Sequence, residues 1–165
     1  MFDILKSQRR AEARLGRPAG RGRRSDAGRS RLPAPVLAEV RAVAMGIDRP
    51  AMTGLQQRIA RRCAEAGIRP PSRASLYAAF DSIEGHVYEI SSLPAAVVEC
   101  LYNLPREGTV PGHQLVLYCL NYGSLAAMSF AAGLPWLDLH QARRLRGWRA
   151  RSRGLLLAAL RARGR

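Results

Sequence analysis

The sequence predicts a mainly α-helical protein, with a core of three short helices followed by a second, smaller helical region. Apolar residues recur at helical spacing along most of the 165-residue chain. Glycines and prolines interrupt these runs where helices would end. The run at 86–90 is instead typical of a short strand.

Residues 1–33 are predicted to form a disordered basic arm. A short helix at 2–15 precedes a segment of glycine, proline and arginine that has no apolar period. Such an arm could follow a phosphate backbone or enter a minor groove, and a solubilising tail is the alternative.

Two helices are predicted next, each with one apolar face. In the first, at 36–45, Val36 and Val40 lie on the apolar side. In the second, at 53–66, an apolar residue recurs at every fourth position. The apolar side of this helix can therefore pack in the core, while the opposite side, which carries arginines, can face phosphate. The packing residues are Leu55, Ile59 and Cys63, and those of the opposite face are Arg58, Arg61 and Arg62.

A turn and a third helix follow this arginine face. Gly67 suits the left-handed residue that ends a helix, and the prolines at 70 and 71 cannot continue it. Ser72 can then cap a helix at 73–80. On that helix the inward side would hold Leu76 and Phe80, and the outward candidates are Arg73, Ser75 and Ala78.

Arg73 is the most informative of these residues. A cation in the first turn opposes the helix dipole, at a cost of roughly 0.3 to 1 kcal/mol. A bidentate arginine contact distinguishes guanine from other bases by about 1 to 3 kcal/mol, which would justify that cost. The alternative is a solvated arginine in an arginine-rich chain.

The stretch Gly67-Ile68-Arg69-Pro70-Pro71-Ser72, with the short helix after it, resembles the helix-turn-helix segments of Mu-type transposases and of small mobile-element regulators. The resemblance covers about 30 of the 165 residues. It implies DNA binding and not strand transfer, since the chain is too short for the nuclease domain and shows no obvious acidic triad. Residues 34–92 would then be a helix-turn-helix domain, homeodomain-like or, with the strand at 86–90 as a wing, winged.

Residues 93–147 are predicted to form a second helical domain. Pro94 would open a helix at 95–103, and after a loop at 106–112 the run 113–122 reads as a buried helix, with a strand at 115–120 as the competing interpretation.

The end of this region repeats the helix, glycine turn, helix pattern. Ser124 can cap a helix at 125–132, and a helix at 136–148 follows. This could be a second helix-turn-helix-like unit with Leu139 inward, or a plain helical hairpin around Trp136. In the first case the outward residues would be Asp138, Gln141 and Arg144.

Residues 148–165 are predicted to form a basic amphipathic helix. Its apolar residues are Leu155, Leu156, Ala159 and Leu160. The helix could dock on the domain, pair with a partner helix or a second copy, or lie on anionic lipid.

The net charge of +15 is concentrated at the two ends of the chain. Residues 1–31 carry +7 and residues 143–165 carry +9, whereas residues 32–142 carry −1. Clusters of positive charge favour binding to a polyanion, so DNA, RNA and anionic membranes are all candidate partners. Arginine outnumbers lysine 26 to 1, which fits phosphate and guanine recognition but also the codon usage of a GC-rich genome.

No catalytic, metal or cofactor signature is found in the sequence. The three cysteines lie in apolar runs and read as reduced core residues. A zinc site built from Cys100, His113, Cys119 and His140 would lack the usual close ligand spacing. Because catalytic motifs are lacking, we expect no enzyme. No run approaches 18 apolar residues, so we expect no membrane protein, and we expect a cytoplasmic, nucleoid-associated location.

These observations predict a sequence-specific regulator that binds double-stranded DNA, of the bacterial mobile-element, plasmid or toxin-antitoxin type, with a C-terminal region that could form a homodimer or hold a partner protein. The alternatives are an RNA-binding or ribosome-associated protein, and an antitoxin-like protein-interaction factor that acts through its C-terminal half. The candidate nucleic-acid-binding residues are Arg58, Arg61, Arg62, Arg69, Ser72, Arg73, Ser75, Gln141, Arg144, Arg149, Arg151 and Arg153.

Overall fold

The computed structural model describes residues 32–163, and this part of the chain is mainly helical, as the sequence predicts. The described residues belong to one compact unit. The predicted helix at 2–15 and nearly all of the predicted basic arm lie outside the described residues.

The first three helices form a small helical core. They are α1 (Ala34–Ala44), α2 (Met52–Glu65) and α3 (Arg73–Ser82). The first helix packs against both of the others. Its buried side chains are Val36, Val40 and Ala44, and those of α2 include Leu55, Ile59 and Cys63, which confirms the predicted apolar faces.

A two-stranded antiparallel sheet follows, formed by β1 (Val87–Glu89) and β2 (Thr109–Pro111). The second strand falls within the segment predicted as a loop. Its three residues are too few to show a period, and it is stabilised by pairing with a strand about twenty residues earlier.

The chain between the strands is helical in short pieces. Ile90–Ser92 and Glu99–Leu101 are 3-10 turns, and α4 (Ala95–Val98) lies between them. The helix predicted at 95–103 is therefore α-helical only as far as Val98. In the 3-10 turn that follows, residues three apart lie on the same side of the helix. This spacing allows Val97 and Cys100 both to be buried.

Four helices complete the described chain: α5 (Gly112–Tyr122), α6 (Leu125–Gly133), α7 (Trp136–Ala142) and α8 (Ala150–Ala162). The prediction of a helix at 113–122 is confirmed, and the competing strand is excluded. The helix predicted at 136–148 is too long, because the backbone turns after Ala142 and Gly147 adopts a left-handed φ of 88°.

Two hydrophobic clusters share α7. One contains the buried faces of α1, α2 and α3 together with Trp136 and Leu137. The other joins the sheet region, α5, α6 and α8, and it includes Leu139 and Ala142. Leu156 of α8 is fully buried in this second cluster, so the C-terminal helix is docked on the domain.

Candidate nucleic-acid interface

The turn between α2 and α3 has the local geometry that the sequence predicts. Gly67 has a left-handed φ of 64°, and the Ile68 amide donates to the Cys63 carbonyl at 2.8 Å. The Ser72 hydroxyl accepts a hydrogen bond from the Ser75 amide at 3.1 Å, which caps the first turn of α3. Local rules for glycine, proline and serine therefore place the start of α3.

The two faces of α3 are also as predicted. Leu76 and Phe80 are fully buried against α1 and α2. The outer face carries an arginine and two short side chains, all exposed: Arg73, Ser75 and Ala78. The bulky side chain that borders this face is Tyr77, which is partly exposed beside Arg73.

Arg73 is held by an aromatic ring one turn further along α3. Its guanidinium carbon lies 5.9 Å from the centre of the Tyr77 ring, and Nη2 of Arg49 donates to the Tyr77 hydroxyl at 3.2 Å. Burial raises the pKa of Tyr77, but hydrogen bonds and charge from Arg49 and Arg73 outweigh it and lower the pKa overall. The ring contact offsets part of the dipole cost of an arginine in the first turn.

The arginine face of α2 is organised by a glutamate that sequence reasoning missed. Nε of Arg58 and Nε of Arg62 each lie 3.0 Å from a different carboxylate oxygen of Glu39 on α1. Arg61 and Arg69 are exposed and form no ion pair within residues 32–163. The turn and both flanking helices carry five arginines against the two carboxylates of Glu65 and Asp81, so this segment has a net positive charge.

The outward orientation predicted for Asp138 and Gln141 is wrong. Asp138 is fully buried and accepts a hydrogen bond from the Tyr88 hydroxyl at 3.0 Å. The Gln141 amide nitrogen donates to the carbonyls of Phe80 and Ile83 at 3.0 and 2.8 Å. The physical reason is that α7 lies between other helices, with α3, α5 and α8 packed around it.

Of the remaining predicted residues, Arg144 lies beside α3, and the three others lie at the start of α8. Arg144 is exposed but pairs with Asp81 of α3 at 2.9 Å. Arg149 donates to the Asn121 carbonyl at 3.0 Å, and its guanidinium carbon lies 4.6 Å from the centre of the Tyr122 ring, at the end of α5. Arg151 and Arg153 are exposed on the first turns of α8. The candidates of α2, the turn and α3 therefore lie on consecutive elements of the helical core, whereas Arg149, Arg151 and Arg153 lie at the start of α8.

Beside α3 lies a cleft of about 430 Å³, bordered by α3, α7 and α8. Three exposed arginines line it, Arg49, Arg143 and Arg161, together with aromatic and apolar side chains. We call this the cationic cleft. Its arginines come from three distant segments, so no local pattern could have associated them.

A buried histidine borders the cationic cleft. The His140 ring stacks on Trp136 with 4.5 Å between ring centres, and Nε2 lies 3.1 Å from Oδ1 of Asp81. Burial lowers the pKa of His140, and the opposing charge of Asp81 does not restore it. The ring is therefore mainly neutral at pH 7, and its Nε2–H can donate to the aspartate.

Neither a metal-ligand cluster nor a membrane-spanning helix is found in the part of the chain that the structure describes. No group of three or more His, Cys, Asp or Glu side chains there could hold a metal ion. Within residues 32–163, no helix is both long enough and apolar enough to cross a bilayer. The three cysteines are buried and free of disulfides. Burial raises the pKa of Cys100, and it raises that of Cys119 to about 12.

Comparisons with family models, curated proteins and solved structures found no match for this chain. The resemblance of the turn to helix-turn-helix segments stays a prediction, and so do the regulatory role and the assignment of the nucleic-acid-binding residues.

Proposed function

We propose that this protein is a sequence-specific regulator that binds double-stranded DNA, with α3 as the reading helix of a helix-turn-helix core. One observation carries the proposal: the outer face of α3 presents an exposed Arg73 beside Ser75 and Ala78, while its inner face is fixed in the core. A short-chained face with one guanidinium suits the major groove, where arginine reads guanine through two hydrogen bonds.

Residues around α3 would supply phosphate contacts. Arg58 and Arg62 are held by Glu39 through their Nε atoms, so their terminal nitrogens remain available as donors. Arg61 on α2 and Arg69 in the turn that precedes α3 are both exposed. Guanidinium groups of this kind position a protein on the duplex without reading its sequence.

Affinity and specificity would then come from different parts of the chain. Residues 32–142 have a net charge of −1, whereas residues 1–31 and 143–165 together carry +16. The charged ends would attract DNA of any sequence, and α3 would select among sequences. As the resemblance of the turn implies, the regulated operon would be of the bacterial mobile-element, plasmid or toxin-antitoxin type.

The test begins with selection of bound sequences from random duplex DNA by the full chain. Affinities for the selected and for a scrambled duplex are then measured at one salt concentration. We expect Arg73→Ala to weaken binding to the selected duplex by about 5- to 150-fold, which corresponds to the 1 to 3 kcal/mol of a bidentate base contact. Binding to the scrambled duplex should change much less.

Arg106→Ala is the matched control, because Arg106 is exposed and lies in the loop before β2, away from α2 and α3. This substitution removes the same charge and should weaken binding to both duplexes slightly and equally. If Arg73→Ala lowers the affinity for both duplexes equally, Arg73 does not read a base. Failure to enrich any duplex, with stronger binding to structured RNA at the same salt, would favour the RNA-binding alternative. An enriched palindrome would indicate a dimer on DNA.

A further inference from the structure

We propose that the cationic cleft binds a nucleoside monophosphate, either free or as an unpaired nucleotide of a nucleic-acid strand. The cleft is a second site, distinct from the outer face of α3, and its volume of about 430 Å³ lies in the range of small-ligand pockets. A duplex is too wide to enter it.

The charge of the cleft favours a phosphate group. Arg49, Arg143 and Arg161 line it, and Asp81 is the acidic residue among its lining side chains. The Asp81 carboxylate is already engaged, by Arg144 at 2.9 Å and by His140 at 3.1 Å. The three lining guanidinium groups therefore face the space with little opposition, and their planar geometry matches phosphate oxygens.

The remaining lining favours a planar, partly apolar group. Trp136 and His140 are stacked on each other and nearly fully buried, so they support the cleft from beneath and offer no ring face to a ligand. The accessible apolar lining is the partly exposed Tyr77 ring together with Leu157, which is 38% exposed. An inorganic phosphate would use neither of these two side chains, whereas a base attached to the phosphate would contact both the Tyr77 ring and Leu157.

The cleft is fixed in shape by packing that does not involve a ligand. Phe80 meets Trp136 edge to face, with 5.4 Å between ring centres, and His140 is anchored to Asp81. Because its floor is preformed, little conformational entropy would be lost on binding. A ligand contacting Arg49 and Tyr77 would also lie next to the residue that holds Arg73.

The test is calorimetric titration of the full chain with adenosine monophosphate, adenosine and inorganic phosphate. We expect adenosine monophosphate to bind at least about tenfold more tightly than either of its parts, since a charged hydrogen bond alone is worth about tenfold or more. Arg161→Gln should weaken adenosine monophosphate binding by about tenfold for the same reason.

Two further variants make the outcome specific to the cleft. Leu157→Asp adds a negative charge to the lining and should also weaken binding, and thermal unfolding would verify that each variant is folded. Arg106→Gln removes an exposed arginine outside the cleft and should change the affinity by less than about twofold. The proposal is wrong if adenosine monophosphate does not bind, if phosphate alone binds as tightly, or if Arg106→Gln matches Arg161→Gln.

A competition arm distinguishes the two sources of the nucleotide. Displacement of adenosine monophosphate by a short single-stranded DNA would identify an unpaired nucleotide of a strand as a ligand. Binding of the mononucleotide without displacement would identify the free form. Because no duplex is used, the result is independent of whether α3 reads DNA.

Discussion

Substitution of Gly112 by alanine should severely destabilise the protein. Gly112 begins α5 and is packed against the buried carboxylate of Asp138. A Cβ atom added there would lie 2.5 and 2.6 Å from the two carboxylate oxygens. Both distances are below van der Waals contact, so either α5 or Asp138 must move.

The magnitude follows from what holds Asp138 in place. Its carboxylate accepts a hydrogen bond from the Tyr88 hydroxyl at 3.0 Å and contacts His86 at 3.2 Å. Interactions with a charged group contribute about 1.5 to 3 kcal/mol each, and loss of both would leave a buried charge unpaired. We therefore expect Gly112→Ala to lower the free energy of unfolding by about 3 to 5 kcal/mol, above the 1 to 3 kcal/mol of ordinary overpacking.

Urea unfolding followed by circular dichroism measures this effect. Gly154→Ala on α8 is the control, because no atom lies within 4 Å of the added Cβ and the site is exposed and helical. It should leave the protein unchanged or stabilise it by up to about 1 kcal/mol. In a double-mutant cycle, Asp138→Ala should remove most of the cost of Gly112→Ala. The predicted clash between Gly112→Ala and Asp138 would be refuted by either of two results. One is a urea midpoint for Gly112→Ala equal to that of the wild type, and the other is full additivity of the two substitutions in the free energy of unfolding.

Two further predictions concern buried titratable groups. Because burial lowers the pKa of His140 below that of an exposed histidine, the unfolded chain takes up a proton at a higher pH than the folded chain. The free energy of unfolding should thus decrease as pH falls from 7.5 through about 6.5, and His140→Gln should reduce this decrease; an equal decrease in the variant would contradict the assignment. The thiols of Cys63, Cys100 and Cys119 are buried and should react with a thiol reagent only after unfolding, so rapid labelling of the native protein would be inconsistent with the structure.

The sequence predicts the start of α3 well because the determinants are local. A left-handed glycine, two prolines and a capping serine act within six residues, and Gly67 and Ser72 do in the structure what these rules require. The inward and outward faces of α2 and α3 follow from helical spacing in the same way. The regulatory interpretation built on these features remains a prediction.

The failures concern contacts between distant segments. Asp138 and Gln141 occupy positions that helical spacing assigns to the outside, but other helices cover α7 on several sides. Glu39 organises Arg58 from 19 residues away, and the arginines of the cationic cleft come from three parts of the chain. Gly85 and Gly112, whose missing side chains make room near Asp138, were the available signal for its burial.

The position of α7 has a consequence for protein engineering. Phe80 of α3 packs on Trp136, and Gln141 supplies donors to the last carbonyls of that helix. A fragment ending at residue 92 would therefore expose an aromatic surface and leave two backbone acceptors to water. The proposed reading helix therefore cannot be transferred to another protein on its own. A chimera that contains α3 must also contain α7 or replace the contacts that α7 makes with it.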